Sequence, residues 1–203
     1  MRSYLYLIFA IAISLGLTGC VQQKTVRLQA DDLGEPMTTG LSNRDFEIAA
    51  NHTIQSMLGS GAVAPVNGKK NILVISHILN DTMQRIDTDQ LIKKIRIALL
   101  QSGMVKTTTA IGLNGAEDRM NDAYSQLARS KRINKRTLQK QSLTAPNMSL
   151  SGKIIQRNQR VDGGRQLIEY YFQLTLTDLS DGLGVWEGET PIRKLASKDS
   201  VSW

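Results

Sequence analysis

Apolar residues recur at two different spacings from residue 42 onward, and each spacing predicts one type of element. A first helix is predicted from its N-cap Ser42 to Gly59, because apolar residues recur there every three or four positions. This stripe consists of Phe46, Ala49, Ala50, Thr53, Ile54, Met57 and Leu58. Residues 71–79 are instead apolar on both alternating faces, which predicts a central strand in a sheet covered by helices.

The middle of the chain continues this alternation of helices and strands. A second helix is predicted to begin at Asp87 or Thr88 and to end at Gly103, since its apolar residues share one arc and its basic residues fall outside it. The β-branched residues within 104–109 predict a short second strand. A third helix is expected over about 116–130.

The last third of the chain predicts a hairpin and one more strand. Residues 148–161 and 165–178 flank the turn sequence Asp162-Gly163-Gly164, and the second segment alternates apolar with polar residues. Residues 185–189 predict a short edge strand that ends before Pro191. The order α-β-α-β-α-β-β-β predicts an α/β fold, a sandwich of a mixed β-sheet and helices.

The first twenty residues have the pattern of a secretory signal, with a positive start at Arg2 and then an apolar stretch. The stretch ends in the four residues of a bacterial lipobox, Leu17, Thr18, Gly19 and Cys20. In a lipobox the cysteine thiol is diacylglycerylated and the chain is cut before the cysteine. We therefore expect residues 1–19 to be a signal peptide and Cys20, the only cysteine, to carry the lipid.

Residues 20–41 are predicted to be the lipidated cysteine and a flexible tether, and residues 42–203 a globular domain. A tether of about 20 residues spans at most roughly 70 Å when extended and about 25 Å as a coil. Residue 21 is valine, whereas an aspartate there favours inner-membrane retention in lipoproteins resembling those of enteric bacteria. We therefore expect a protein of the outer membrane, lipid-anchored on the periplasmic side.

Enzyme chemistry finds little support in the composition. One cysteine and two histidines exclude a disulfide framework and a zinc site built from Cys and His. His52 falls in the first helix and His77 in the apolar strand, where we interpret it as a sheet histidine. Glu187 and Glu189 share one strand face, whereas glycosidase acids face each other across a cleft. We therefore predict no catalytic residue, no metal and no cofactor.

The charge balance is positive, with 25 Lys and Arg against 18 Asp and Glu and a net charge of +7. A cluster at 129–140 contains no acid and six basic residues, which are Arg129, Lys131, Arg132, Lys135, Arg136 and Lys140. Such a cluster binds phosphate-rich surfaces in many proteins, but export to the periplasm argues against nucleic acid as a partner. An acidic partner surface, anionic wall or lipid groups, and a solvated helix end remain as interpretations.

Several segments behind the lipobox occur in the order and spacing of one known family. They are Met57-Leu58-Gly59, Gly61-Ala62-Val63, Ile72-Leu73-Val74-Ile75, Asn80-Asp81-Thr82, Gln101-Ser102-Gly103 and Val185-Trp186-Glu187-Gly188. With them, the chain from about residue 45 to 190 resembles the LpoB-type outer-membrane lipoproteins that activate a penicillin-binding protein.

The resemblance implies a fold similar to the amino-terminal domain of TolB and a role without catalysis. The domain would dock on a bifunctional class A penicillin-binding protein, a peptidoglycan synthase, and raise its glycan-polymerising and peptide-crosslinking activity. The docking residues are not predicted. The short tether lacks the long Pro-rich stretch of familiar enteric members.

An alternative function belongs to another class, a CsgG-like structural or assembly component of an outer-membrane secretion or appendage system. Such lipoproteins share a similar α/β core and also supply a long amphipathic β-hairpin that inserts in the membrane. The predicted hairpin at 148–178 has the necessary length. Its first strand, however, carries Lys153, Arg157 and Arg160, which suit a periplasmic sheet better.

Overall fold

The structure, a computed structural model, describes residues 38–111, 118–127, 129–138 and 143–197. The predicted signal peptide, Leu17, Thr18, Gly19, Cys20, the tether up to residue 37 and Lys140 lie outside the described residues. The elements are α1 (Asn43–Gly59), β1 (Ile72–Asp81), α2 (Thr88–Gln101), β2 (Lys106–Thr107), α3 (Met120–Leu127), β3 (Met148–Arg160), β4 (Gln166–Asp178) and β5 (Gly184–Ala196). In the described part of the chain, no helix has the length and apolar character needed to span a bilayer.

The five strands form one mixed sheet in the order β2-β1-β3-β4-β5. Strand β1 lies inside the sheet and is parallel to both β2 and β3, while β4 is antiparallel to β3 and β5. The β3–β4 hairpin closes over a 3-10 turn at Asp162–Gly164, where Gly163 adopts a positive φ of 73°. The predicted fold class, element order and hairpin are therefore confirmed.

Both long helices begin at side-chain caps that the sequence predicts. The Ser42 hydroxyl accepts a hydrogen bond from the Asp45 N–H at 3.2 Å, and the Asp45 carboxylate accepts one from the Ser42 N–H at 2.7 Å. This reciprocal pair is a capping box. At α2 the Asp87 carboxylate accepts hydrogen bonds from the N–H groups of Asp89 and Gln90, so Asp87 is the N-cap.

Helices α1 and α2 pack on the same face of the sheet and enclose the core between them and the strands. The five core residues of β4 are at most 2% exposed: Ile168, Tyr170, Phe172, Leu174 and Leu176. This is the alternation that the sequence predicts. One face of the β3–β4 hairpin is thus buried in the core of the domain. Since the core residues lie between Leu41 and Ala196, the chain from residue 38 onward has its own core and can fold alone.

Two predicted elements differ in length from the observed ones. Strand β5 has thirteen residues and continues through Pro191, because an edge strand has one side without a neighbour, where a missing N–H costs no ladder hydrogen bond. The second strand shrinks from 104–109 to two residues, since the chain turns away at Thr109, whose carbonyl accepts a hydrogen bond from the Asp118 N–H. Described residues of the third helix cover 120–127 rather than 116–130.

Strand β1 contains an irregularity that the sequence does not reveal. Its register against β3 shifts between Ile75 and Ile78. His77 therefore belongs to the sheet, as predicted, but its side chain is exposed instead of following Leu73 and Ile75 into the core. After the shift, Ile78 returns to the core opposite Gly152. A Cβ atom at Gly152 would lie 2.7 Å from the carbonyl oxygen of Gln173, which explains the glycine at this close approach.

Residues 38–41, placed by the sequence at the end of the tether, contact the sheet through the nearly buried Lys194. The Lys194 ammonium donates hydrogen bonds to the carbonyls of Thr38 at 3.0 Å and Gly40 at 2.5 Å, and it pairs with the Asp45 carboxylate at 2.5 Å. The Leu41 N–H donates to the side-chain oxygen of Gln84 at 2.8 Å. The chain is thus held at the end of the sheet where β5 finishes.

The buried phenol of Tyr170 should make the folded protein less stable at alkaline pH. Burial, and secondly the negative charge of Asp45, raise the pKa of Tyr170 to about 12 from 10.0. The unfolded chain therefore releases this proton near pH 10 while the folded protein retains it, so stability falls as the pH rises from about 10 to about 12. We expect the free energy of unfolding, measured in urea, to decrease more between about pH 9 and about pH 11 for the wild type than for Tyr170→Phe. Equal losses would contradict this prediction.

Candidate docking surface

The strands β3, β4 and β5 present a second face, opposite to the core, that is partly exposed. We call it the outer face, and its central residues are Ile155, Arg157, Leu167, Glu169, Tyr171, Pro191, Arg193 and Leu195. The register places them in rows across the sheet. Arg157, Glu169 and Arg193 form one row, and Ile155, Tyr171 and Pro191 form the next.

A carboxylate between two arginines occupies the centre of the outer face. Glu169 is only 7% exposed, and one of its oxygens accepts a hydrogen bond from the Arg193 Nε at 3.0 Å. The guanidinium of Arg157 lies 5.9 Å from the centroid of the Tyr171 ring, at the outer limit of a cation–π contact. The row thus contains two arginines and one carboxylate, which leaves it with an excess positive charge.

The side chains around this row are the types that dominate binding energy in protein interfaces. Arginine and tyrosine are enriched among interface hot spots, and apolar groups exclude water around them. Leu195 is 57% exposed and follows Arg193 on the same face of β5. The outer face therefore combines basic, aromatic and apolar groups within three adjacent strands, as a protein-docking surface does.

The paired glutamates of β5 form a polar margin to this surface. Glu189 accepts a hydrogen bond from the Gln173 side-chain amide at 2.7 Å, and Glu187 accepts one from the Thr175 hydroxyl at 3.4 Å. Both glutamates are exposed on the edge strand, in agreement with their interpretation as edge charges facing water.

His52, the other candidate from the sequence, lies on the core side of β5. Its Nδ1 is 3.1 Å from the Thr190 hydroxyl, and Thr190 is also 2.7 Å from the Thr53 hydroxyl. These contacts join α1 to β5. His52 and Glu189 are therefore on opposite sides of the same strand, and the structure does not bring them into one site.

Comparison with solved structures gives several similar folds at low sequence identity. The LpoB C-terminal domain from Salmonella enterica has a TM-score of 0.44 and 14% identity, with 74% of this chain and 99% of that chain covered. The LpoB C-terminal domain from Escherichia coli has a TM-score of 0.43 and 14% identity, covering 73% and 98%. Lipoprotein GNA1162 from Neisseria meningitidis has a TM-score of 0.35 and 11% identity, covering 65% and 88%.

Comparison with curated proteins gives no match. The sequence profile of one protein family, described as peptidoglycan-synthase activator LpoB, matches residues 45–192. That range runs from the first turn of α1 into the second half of β5, and so includes strands β1 to β4 and most of β5. The chain belongs to the LpoB family of peptidoglycan-synthase activators.

Proposed function

We propose that this protein is an outer-membrane lipoprotein that binds a bifunctional class A penicillin-binding protein and stimulates peptidoglycan synthesis without catalysing a reaction itself. The observation that carries the proposal is the family match over residues 45–192. The lipobox adds the anchor, with Cys20 as the lipidated residue on the periplasmic side of the outer membrane.

The outer face is the surface that we assign to the synthase. Its arginines favour a partner with an acidic surface, because an acidic group that approaches Arg157 can accept a charge-assisted hydrogen bond. Glu169 strengthens this arrangement, since it holds the Arg193 guanidinium in one orientation through the Nε contact at 3.0 Å. Pre-oriented side chains lose less conformational entropy when a partner binds.

Activation then follows from differential binding. An activator shifts a synthase between two states only to the extent that it binds the active state more tightly. A coupling free energy of about 1.4 kcal/mol is enough for a tenfold change in an equilibrium. An interface with a few well-placed arginine, tyrosine and leucine contacts supplies differences of this size.

A binding experiment tests the assignment of the outer face. The chain from residue 21 onward is titrated against a purified class A penicillin-binding protein in surface plasmon resonance. We expect the double variant Arg157→Ala, Leu195→Ala to bind at least about tenfold more weakly, since truncating an arginine hot spot costs more than about 1 kcal/mol and burial of an exposed leucine side chain contributes about 1 kcal/mol more. Both side chains are exposed, so the thermal unfolding midpoint stays close to that of the wild type.

The matched control removes the same kinds of side chain from α2. Lys93 is exposed and Leu100 is 49% exposed, so the variant Lys93→Ala, Leu100→Ala loses one cation and one exposed leucine away from the outer face. We expect it to bind as the wild type does. Weakened binding by this control, with normal binding by the outer-face variant, would contradict the assignment.

A further inference from the structure

The connection between α3 and β3 carries a group of cations that the proposed docking surface does not use. Five exposed residues form this basic connection, which we define as Arg129, Lys131, Arg132, Lys135 and Arg136. The sequence contains no acidic residue between Asp122 and Asp162. Within the described ranges, the four ion pairs all involve other cations.

Neutral side chains, not the cations, organise the backbone of the basic connection. The Ser130 hydroxyl accepts a hydrogen bond from the Arg132 N–H at 3.2 Å, and the Asn134 side-chain oxygen accepts one from the Arg136 N–H at 3.1 Å. The Thr137 hydroxyl donates to the Asn134 carbonyl at 2.8 Å. Small polar residues thus form the turns, and the charged ends remain available for an external anion.

The residue types of the basic connection match a lipid surface better than a protein. Protein interfaces are enriched in arginine and in aromatic residues and depleted in lysine. Residues 129–138 contain three arginines and two lysines but no aromatic residue, so the connection offers cations without the aromatic groups that a protein interface adds to its arginines. A leaflet with anionic headgroups needs no shape complementarity, and each Lys or Arg near such a surface raises affinity about fivefold.

We infer that the basic connection binds the anionic phospholipid headgroups of the leaflet that holds the Cys20 lipid. This inference rests on the anchoring in the proposed function. The nineteen residues from Cys20 to Thr38 span at most about 60 Å when extended and about 23 Å as a coil. Because the anchor keeps the domain within this distance of the membrane, the effective concentration of headgroups is high. An interaction that is weak in solution is therefore formed most of the time at the membrane.

Vesicle binding tests the inference in the absence of both the lipid anchor and the synthase. The chain from residue 21 onward is sedimented with phosphatidylethanolamine vesicles containing phosphatidylglycerol and, separately, with phosphatidylcholine vesicles. We expect binding to the anionic vesicles only, and a marked decrease between roughly 50 and 300 mM NaCl. The variant Lys131→Gln, Arg132→Gln, Lys135→Gln, Arg136→Gln is expected to lose at least about tenfold in affinity.

The matched control removes four positive charges from exposed positions elsewhere, Arg44→Gln, Lys69→Gln, Lys70→Gln and Lys93→Gln. It should retain most of the vesicle binding. Equal losses in both variants, no binding to the anionic vesicles, or equal binding to the anionic and the phosphatidylcholine vesicles would each overturn the inference. Because the assay contains no synthase, its failure leaves the proposed activator function standing, and failure of activation leaves the vesicle result intact.

Discussion

A variant in which residues 1–20 are replaced by a secretory signal with an ordinary A-x-A cleavage site, and which therefore lacks Cys20, is expected to leave the membrane fraction and to appear in the soluble periplasmic fraction. Each buried methylene of an acyl chain contributes about 0.8 kcal/mol to membrane binding, so several chains on one residue hold a protein to the bilayer almost permanently. Without the thiol no diacylglyceryl group can be attached. Because the domain has its own core between Leu41 and Ala196, the released protein should remain folded.

Fractionation of envelopes and intact mass spectrometry together measure this effect. The wild-type protein should have the mass of a chain that starts at Cys20 and carries acyl groups. Thr18→Ser, which keeps a small hydroxyl side chain in the lipobox, serves as a control and should fractionate like the wild type. An unmodified thiol in the native protein, or a variant with an A-x-A signal and no Cys20 that stays with the membrane, would contradict the anchoring.

Substitutions of two neighbouring aromatic residues of β4 should have different effects, one on the stability of the fold and the other on binding to the synthase. Phe172 is 2% exposed in the core, whereas Tyr171 lies on the outer face and is partly exposed. Truncating a buried phenylalanine to alanine costs about 3 to 5 kcal/mol, a large part of the stability of an ordinary domain. We therefore expect Phe172→Ala to unfold at much lower urea concentration than the wild type.

Tyr171→Ala should instead keep most of the stability and weaken binding to the synthase by about tenfold or more. Equilibrium unfolding in urea and the surface plasmon resonance titration measure the two properties on the same protein samples. A Tyr171→Ala variant that binds normally would remove this residue from the docking surface. A Phe172→Ala variant as stable as the wild type would contradict the described core.

Elements with strong local signals were predicted correctly. Ser42 and Asp87 can cap a helix because their side chains reach N–H groups only two or three residues away, so the sequence alone contains the information. The alternation along β4 is equally local, since successive side chains of a strand point to opposite faces. The predicted end before Pro191 was wrong although the edge position was predicted correctly, because an edge strand can continue through a proline when the missing N–H costs no ladder hydrogen bond.

The docking surface and the contacts of residues 38–41 depend on long-range pairing. Arg157, Glu169 and Arg193 lie on three strands, and only the register of two hairpins places them in one row. Lys194 is nearly buried because the Asp45 carboxylate and two backbone carbonyls, far away in sequence, satisfy its ammonium group. A single sequence shows the residue types but not these partners.

The rate of glycan-chain polymerisation by a purified class A penicillin-binding protein, with and without the chain from residue 21 onward, tests the central claim most directly. The account predicts that the rate rises severalfold with the wild-type chain and much less with the Arg157→Ala, Leu195→Ala variant at the same concentration. An unchanged rate, together with no detectable complex between the two proteins, would contradict the proposed function.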